Sequence, residues 1–282
     1  MDIRLACLQG PHTHYPDGSP DPSADRAANL ALLERTAAEA AAGGAHLLIT
    51  SEMFTTGYNL GPATTAALAE PAGGPSAAGV ARIAREHRIS IVYGYPERAG
   101  DRVYNAVQLI DRAGRRSANY RKTHLFGDTD RGAFAAGGDL VVQAEVGGVV
   151  VGLLICYDIE FPETAWAHAL AGTRLLLVPT ANMRPFEYVS HQIVPTRAIE
   201  SQLFIAYVNR VGVEREFEYC GESRVMAPDG RRLAAAGSGP ALIFADVAEK
   251  TLTAAHEQNT YLADRRTDLY DNGNGNPPRL AG

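Results

Sequence analysis

Three residues of complementary chemistry stand far apart along this chain: Glu52, Lys122 and Cys156. A cysteine attacks a carbonyl carbon as its thiolate. Its ordinary pKa of about 8.5 must therefore be lowered by a nearby cation or a helix N-terminus. A carboxylate can take the thiol proton, pass it to a leaving amine and then activate water against the thioester. An ammonium and a backbone N–H can hold the oxyanion of the tetrahedral intermediate, each donor contributing roughly 3–4 kcal/mol. Cysteine, glutamate and lysine are thus a complete set for amide hydrolysis, with neither metal nor histidine required. Taken singly, each has a plainer reading: Cys156 as a core filler, Glu52 as a cap or surface carboxylate, Lys122 as a solvated cation.

Lys122 is singled out by composition as well. Of the 26 basic residues only Lys122 and Lys250 are lysines, which leaves 24 arginines. A planar guanidinium does not replace a compact ammonium beside an oxyanion. A lysine kept in so arginine-rich a chain therefore asks for a reason.

The three residues can act together only if the fold brings them to one place, and their neighbours suggest how. Glu52 follows the apolar run His46–Thr50, Lys122 follows Arg115–Tyr120, and Cys156 follows Val149–Ile155. Each run reads as a strand, so all three residues fall at carboxyl ends of strands, where sites form in α/β proteins. Further strands are expected at Ile3–Leu8, Ile89–Tyr93, Val103–Ile110, Leu140–Val146, Leu175–Val178, Leu203–Val208 and Ser223–Ala227. Turns at 111–114, 147–148 and 229–230 make hairpins of the strands beside them. Helices are expected over Arg26–Ala42 with Asp25 as N-cap, Ala77–His87, Pro162–Ala171 and most of Phe186–Gln202. Helices alternating with about a dozen strands imply mixed sheets between helix layers. No internal repeat is visible. A single domain over residues 1–270 with a tail at 271–282 is the expected organisation.

Composition excludes other classes. With 46% hydrophobic residues the chain is too apolar for disorder. No apolar run approaches the roughly 18–20 residues of a membrane span. A net charge of −6 lacks the footprint of a nucleic-acid binder. Three scattered cysteines, Cys7, Cys156 and Cys220, without an export signal point to a reducing cytoplasm rather than a disulfide framework. Cys7 reads as core and Cys220 as an incidental surface thiol. No spacing suggests a metal site; the His12-Thr13-His14 segment reads as solvated loop, and no cofactor is expected.

Three segments resemble the nitrilase (carbon–nitrogen hydrolase) superfamily. Ser51–Tyr58 is similar to its glutamate segment, Tyr120–Phe126 to its lysine segment and Cys156–Glu163 to its nucleophile elbow. The resemblance implies a four-layer α-β-β-α sandwich with two mixed sheets, assembled as a homodimer or higher homo-oligomer. It makes Glu52 the base, Lys122 the oxyanion partner, Cys156 the nucleophile and the Tyr157 N–H the second oxyanion donor. Many members carry a second glutamate after the lysine. Here Asp130, one methylene shorter, stands at that position, with Asp128 as an alternative. The sequence Cys-Tyr-Asp resembles the amidase branch. Ile91–Arg98, Tyr104–Asp111 and Val178–Met183 resemble bacterial 5-aminopentanamidases, which implies a small linear primary amide as substrate. Tyr58, Asn182, Met183 and Phe186 are candidate pocket residues, and Glu187 or Asp130 a candidate partner for a cationic tail. For Glu187 a solvated helix face is the plainer reading. Related substrates are 4-guanidinobutanamide, an ω-amide of a dicarboxylic acid and an N-carbamoyl amine; an acyl-transferring enzyme and a non-catalytic scaffold are the readings from other classes.

Overall fold

A computed structural model describes residues 2–10 and 22–270. The His12-Thr13-His14 segment and the tail 271–282 lie outside the described residues.

Alternation along the strands sets the layers. In β1 (Asp2–Gln9), Ile3, Leu5 and Cys7 enter one core, while Ala6 and Leu8 enter another on the opposite face. β2 (Leu47–Ile49) divides the same way, with Leu47 and Ile49 on one side and Leu48 on the other. So do β3 (Ser90–Ala99), through Val92 against Ile91 and Tyr93, and β4 (Arg102–Ile110), through Leu109 against Ala106 and Ile110. β5 (Arg116–Arg121) follows β4 as a hairpin. The outer core is closed by α1 (Pro22–Ala42) and, beyond the short α2 (Pro62–Leu68), by α3 (Pro75–His87).

After α4 (Gly127–Ala133) the chain builds a second sheet from β6 (Gln143–Val146), β7 (Val149–Leu153), β8 (Leu175–Pro179) and β9 (Phe204–Val208). α5 (Pro162–Leu170) and α6 (Val194–Glu200) cover its outer face, giving the α-β-β-α order. A separate hairpin, β10 (Val211–Glu214) and β11 (Phe217–Cys220), follows β9. β12 (Arg224–Met226) and β13 (Arg232–Ala235) complete the second sheet. β14 (Ala241–Ala248) returns to the first sheet beside β1, and α7 (Glu249–Gln258) follows it. The inner faces of both sheets share one apolar layer, in which each fully buried aliphatic side chain contributes about 1.5–3 kcal/mol.

The two sheets run β14-β1-β2-β3-β4-β5 and β6-β7-β8-β9-β12-β13. In each, the pairings read antiparallel, parallel, parallel, antiparallel, antiparallel. The topology thus repeats although the sequence carries no repeat. Several expectations are corrected. α1 begins at Pro22, so Asp25 lies inside the helix rather than capping it. α2, α4, the β10–β11 hairpin, β14 and α7 were not anticipated. Cys220 is buried at the end of β11, where its thiol donates to the Asn182 carbonyl at 3.3 Å. Its polar neighbours suggested a surface, but the hairpin folds that thiol inward. Among the described residues no helix is long and apolar enough to cross a membrane.

One glycine fixes how closely β3 approaches the turn after β2. A Cβ on Gly94 would stand 2.4 Å from the Met53 backbone nitrogen and 2.9 Å from the Glu52 carbonyl carbon. Backbone cannot move aside as a flexible side chain can. Gly94→Ala is expected to destabilise the protein by about 3 kcal/mol, read as a lower urea midpoint. Any activity that depends on Glu52 should fall with it, because the displaced segment carries that residue; an unchanged midpoint would mean that the strands separate freely here.

Candidate active site

Each chemical residue is set by backbone contacts at the end of a strand. Beyond β2, Thr50 N–H donates to the Val92 carbonyl, and Met53 turns the chain with φ of 51°. Glu52 N–H reaches across to the Thr180 carbonyl of the other sheet at 3.3 Å. Beyond β5, Lys122 N–H donates to the Asn105 carbonyl, and its own carbonyl accepts from Gly137 N–H, both at 2.8 Å. Cys156 opens a 3-10 turn, Cys156–Glu160, with φ of 47°. That left-handed backbone costs a residue with a Cβ about 1–3 kcal/mol, so the surroundings must hold it.

Asp158 does the holding. Its Oδ2 accepts from Ile155 N–H at 3.0 Å and from the Tyr120 hydroxyl at 2.9 Å. Its Oδ1 accepts from the Thr123 hydroxyl at 3.0 Å and His124 N–H at 2.9 Å. One buried carboxylate therefore ties the lysine segment to the nucleophile turn.

The charged centre is fully buried. Lys122 Nζ donates to Glu52 Oε1 at 2.8 Å and to Asp130 Oδ2 at 2.7 Å, with none of the three side chains exposed. An ammonium has three N–H donors, so one remains for an oxyanion. Asn105 Nδ2 also donates to Glu52 Oε1, at 2.6 Å, and Phe126 N–H donates to Asp130 Oδ2 at 2.9 Å. Glu52 Oε2 has no partner among the described residues and is the atom left to receive a proton. Burial pushes the Glu52 carboxyl above the ordinary carboxylate range, and Asp130 adds to the rise, while Lys122 opposes both. Burial likewise holds the Cys156 thiol well above its ordinary value, with Glu52 adding to the rise; Lys122 and the Ala181 amide oppose it. The sequence suggested a thiolate stabilised by a nearby cation or a helix N-terminus. Burial favours a resting thiol, whose proton would have to leave as attack proceeds.

Cys156 and Tyr157 line a cavity of about 190 Å³ together with Tyr58, Asn182 and Met183. Phe126, Glu160, Phe186 and Tyr188 also line it. Tyr157, second in the 3-10 turn, stands where a helix N-terminus leaves N–H groups without intrahelical partners. Asp130 is placed behind Lys122 rather than in the cavity lining, and Asp128 is not part of the buried centre. Glu187 is outside the lining and pairs with Arg184 at 2.6 Å. Sequence reasoning missed Asn105, Asp158 as a tie, and Glu214. The Glu214 carboxylate accepts from the N–H groups of Tyr58 and Asn59 and from the Tyr219 hydroxyl, fixing one cavity wall. Asn105 and Asp158 lay within the family-like segments, whereas nothing near Glu214 signalled its role. Elsewhere Glu34, Glu86 and His87 lie close together, but Arg82 already pairs with both carboxylates.

A cavity cysteine backed by a buried carboxylate and ammonium defines a thiol-dependent hydrolase. The carbon-nitrogen hydrolase family profile matches residues 4–257, and the chain belongs to that family. The chain is 36% identical to the (R)-stereoselective amidase of Pseudomonas sp, over 81% of this chain and 82% of that one. It is 32% identical to the 2-oxoglutaramate amidase of Bacillus subtilis, over 80% and 87%. The crystal structure of an amidase from Nesterenkonia sp. superposes with a TM-score of 0.79 at 32% identity, covering 96% of each chain. A variant of that enzyme shows covalent addition of the acetamide moiety of fluoroacetamide at its active-site cysteine. This protein is accordingly a hydrolase acting on amides, within the nitrilase superfamily.

Burial raises the Cys7 thiol to about 12 and the Cys220 thiol to about 11, and neither lines the cavity. Since Cys156 alone of the three opens to a cavity, access should decide labelling: iodoacetamide is expected to label Cys156 alone in the native protein and all three cysteines after denaturation, as read by peptide mass spectrometry. Lys122→Arg keeps the charge but forces a planar fork into a closed slot. Its kcat/KM should fall by roughly 100-fold or more, the loss typical of one oxyanion donor; retained turnover would exclude a point-charge role for Lys122. A general base works only when ionised and the Glu52 carboxyl is raised, so with Glu52 assigned as the base kcat/KM should fall with decreasing pH at an acid limb above the ordinary glutamate range. A limb at the ordinary value would sink that assignment.

Proposed function

We propose that this amidase hydrolyses a short linear primary amide with a cationic tail, such as 5-aminopentanamide, to the acid and ammonia through a thioester on Cys156. The observation carrying the reading is Lys122, held between two buried carboxylates behind a small aromatic-walled cavity that Cys156 lines. As the Cys156 sulfur bonds the carbonyl carbon, its proton passes to Glu52. Lys122 and the Tyr157 N–H hold the oxyanion. Glu52 returns the proton to the amide nitrogen, the C–N bond breaks and ammonia leaves. Water then adds to the thioester as Glu52 takes its proton; the C–S bond breaks, the thiol regains the proton and the acid departs.

Size and charge support the substrate class. A cavity of about 190 Å³ suits a small molecule. The buried centre holds two acidic side chains against one ammonium, so a cationic tail meets a favourable field. A dicarboxylic ω-amide would bring a further carboxylate toward that centre.

Ammonia release from a panel of ω-amino, ω-guanidino, ω-carboxy and plain aliphatic amides checks the reading. The ω-amino or ω-guanidino amides should give the highest kcat/KM, and acid quenching should trap an acyl adduct on Cys156. Cys156→Ala should release no ammonia; wild-type release from that variant would overturn the mechanism.

A further inference from the structure

Glu160 is a carboxylate without a counter-ion in the cavity. It closes the same 3-10 turn that Cys156 opens, and it lines the cavity beside Cys156 and Tyr157. Its side chain is half-buried, and among the described residues no hydrogen bond or ion pair reaches its carboxylate. Both cations that act on it are engaged elsewhere. The Lys122 ammonium bonds Glu52 and Asp130. The Arg197 guanidinium donates to the carbonyl oxygens of Ile159 and Glu160 and to the carboxylate of Glu200. A carboxylate drawn half out of water and left unpaired is unfavourable unless something completes it.

The walls around it suit a cation. Phe126 stands edge-on to Tyr157 at 5.4 Å and to Phe186 at 5.8 Å, and Tyr58 and Tyr188 add further rings to the lining. Aromatic faces attract ammonium and guanidinium groups and repel carboxylates. Glu187 and Asp130, the acidic residues that sequence offered for this task, are already paired with Arg184 and Lys122.

We propose that Glu160 is the specificity-determining residue that receives the cationic tail of the substrate. The amide carbon would lie at Cys156 while the tail's ammonium or guanidinium pairs with the Glu160 carboxylate one turn further along. Burial raises the Glu160 carboxyl above its ordinary range, and an arriving cation would oppose that rise. The assignment rests on the proposed cationic-amide reading.

The test compares 5-aminopentanamide with hexanamide, in which a methyl group replaces the amine at equal length. Wild type should prefer the amine by kcat/KM, and Glu160→Gln should reduce that ratio by roughly tenfold or more, the usual effect of losing a charge-assisted bond. Glu160→Lys should instead favour the ω-carboxy amide. If wild type prefers the amine and Glu160→Gln keeps the full ratio, the Glu160 assignment fails while the cationic-substrate reading stands. If wild type shows no preference, both fail. Should Glu160→Gln not fold, Glu160→Asp withdraws the charge by one methylene. That variant should shift preference toward 6-aminohexanamide, and an unshifted preference overturns the assignment.

Discussion

Burying an ammonium completely between two carboxylates is the constraint on which this molecule turns. Each ion leaves water at a cost of several kcal/mol, recovered only when partners stand at hydrogen-bond distance. Lys122, at the end of β5, meets Glu52 and Asp130 at 2.8 and 2.7 Å, and those partners come from the end of β2 and from α4. Asn105 on β4 then binds Glu52 as well as the Lys122 backbone. Four elements must therefore keep their register together, because a slip in any one strands a charge without a partner. The apolar layer between the sheets supplies the stability that makes such an arrangement tolerable.

The nucleophile obeys a related rule. Cys156 adopts a left-handed backbone that its Cβ disfavours, and Asp158 gathers donors from both flanking segments to keep it there. Strain of this kind persists where the surroundings over-determine it, and it turns the sulfur into the cavity. The same low-dielectric setting favours the thiol over the thiolate. Reactivity is thus linked to the arrival of an electrophile. A resting thiol beside a base is less prone to wasteful oxidation than a standing thiolate.

Much of this was legible in the chain because it depends on local pattern. Short apolar runs such as Ile3–Leu8 and Val149–Ile155 and the turn at 111–114 marked strands, and Glu52, Lys122 and Cys156 each follow a segment that reads as a strand. What escaped depends on partners distant in sequence. α4, Gly-Asp-Thr-Asp-Arg-Gly-Ala, has no apolar stripe, because its purpose is to deliver Asp130 to Lys122 rather than to pack a face. Cys220 looked exposed among acidic neighbours, yet the β10–β11 hairpin turns it against Asn182 and Asn209. The matched pairing order of the two sheets left no trace in sequence, since sheet topology constrains polarity and register far more than residue identity.

The scarcity of lysine acquires its meaning in this setting. Lys250, the other lysine, lies exposed on α7, where arginine would serve as well. Lys122 occupies a closed slot in which two donors are committed to carboxylates and one is left over. A guanidinium spreads its charge over a rigid plane and cannot direct three donors from a single atom. The chain can therefore exchange lysine for arginine wherever a cation merely faces water, but not where one nitrogen must satisfy two buried acids at once.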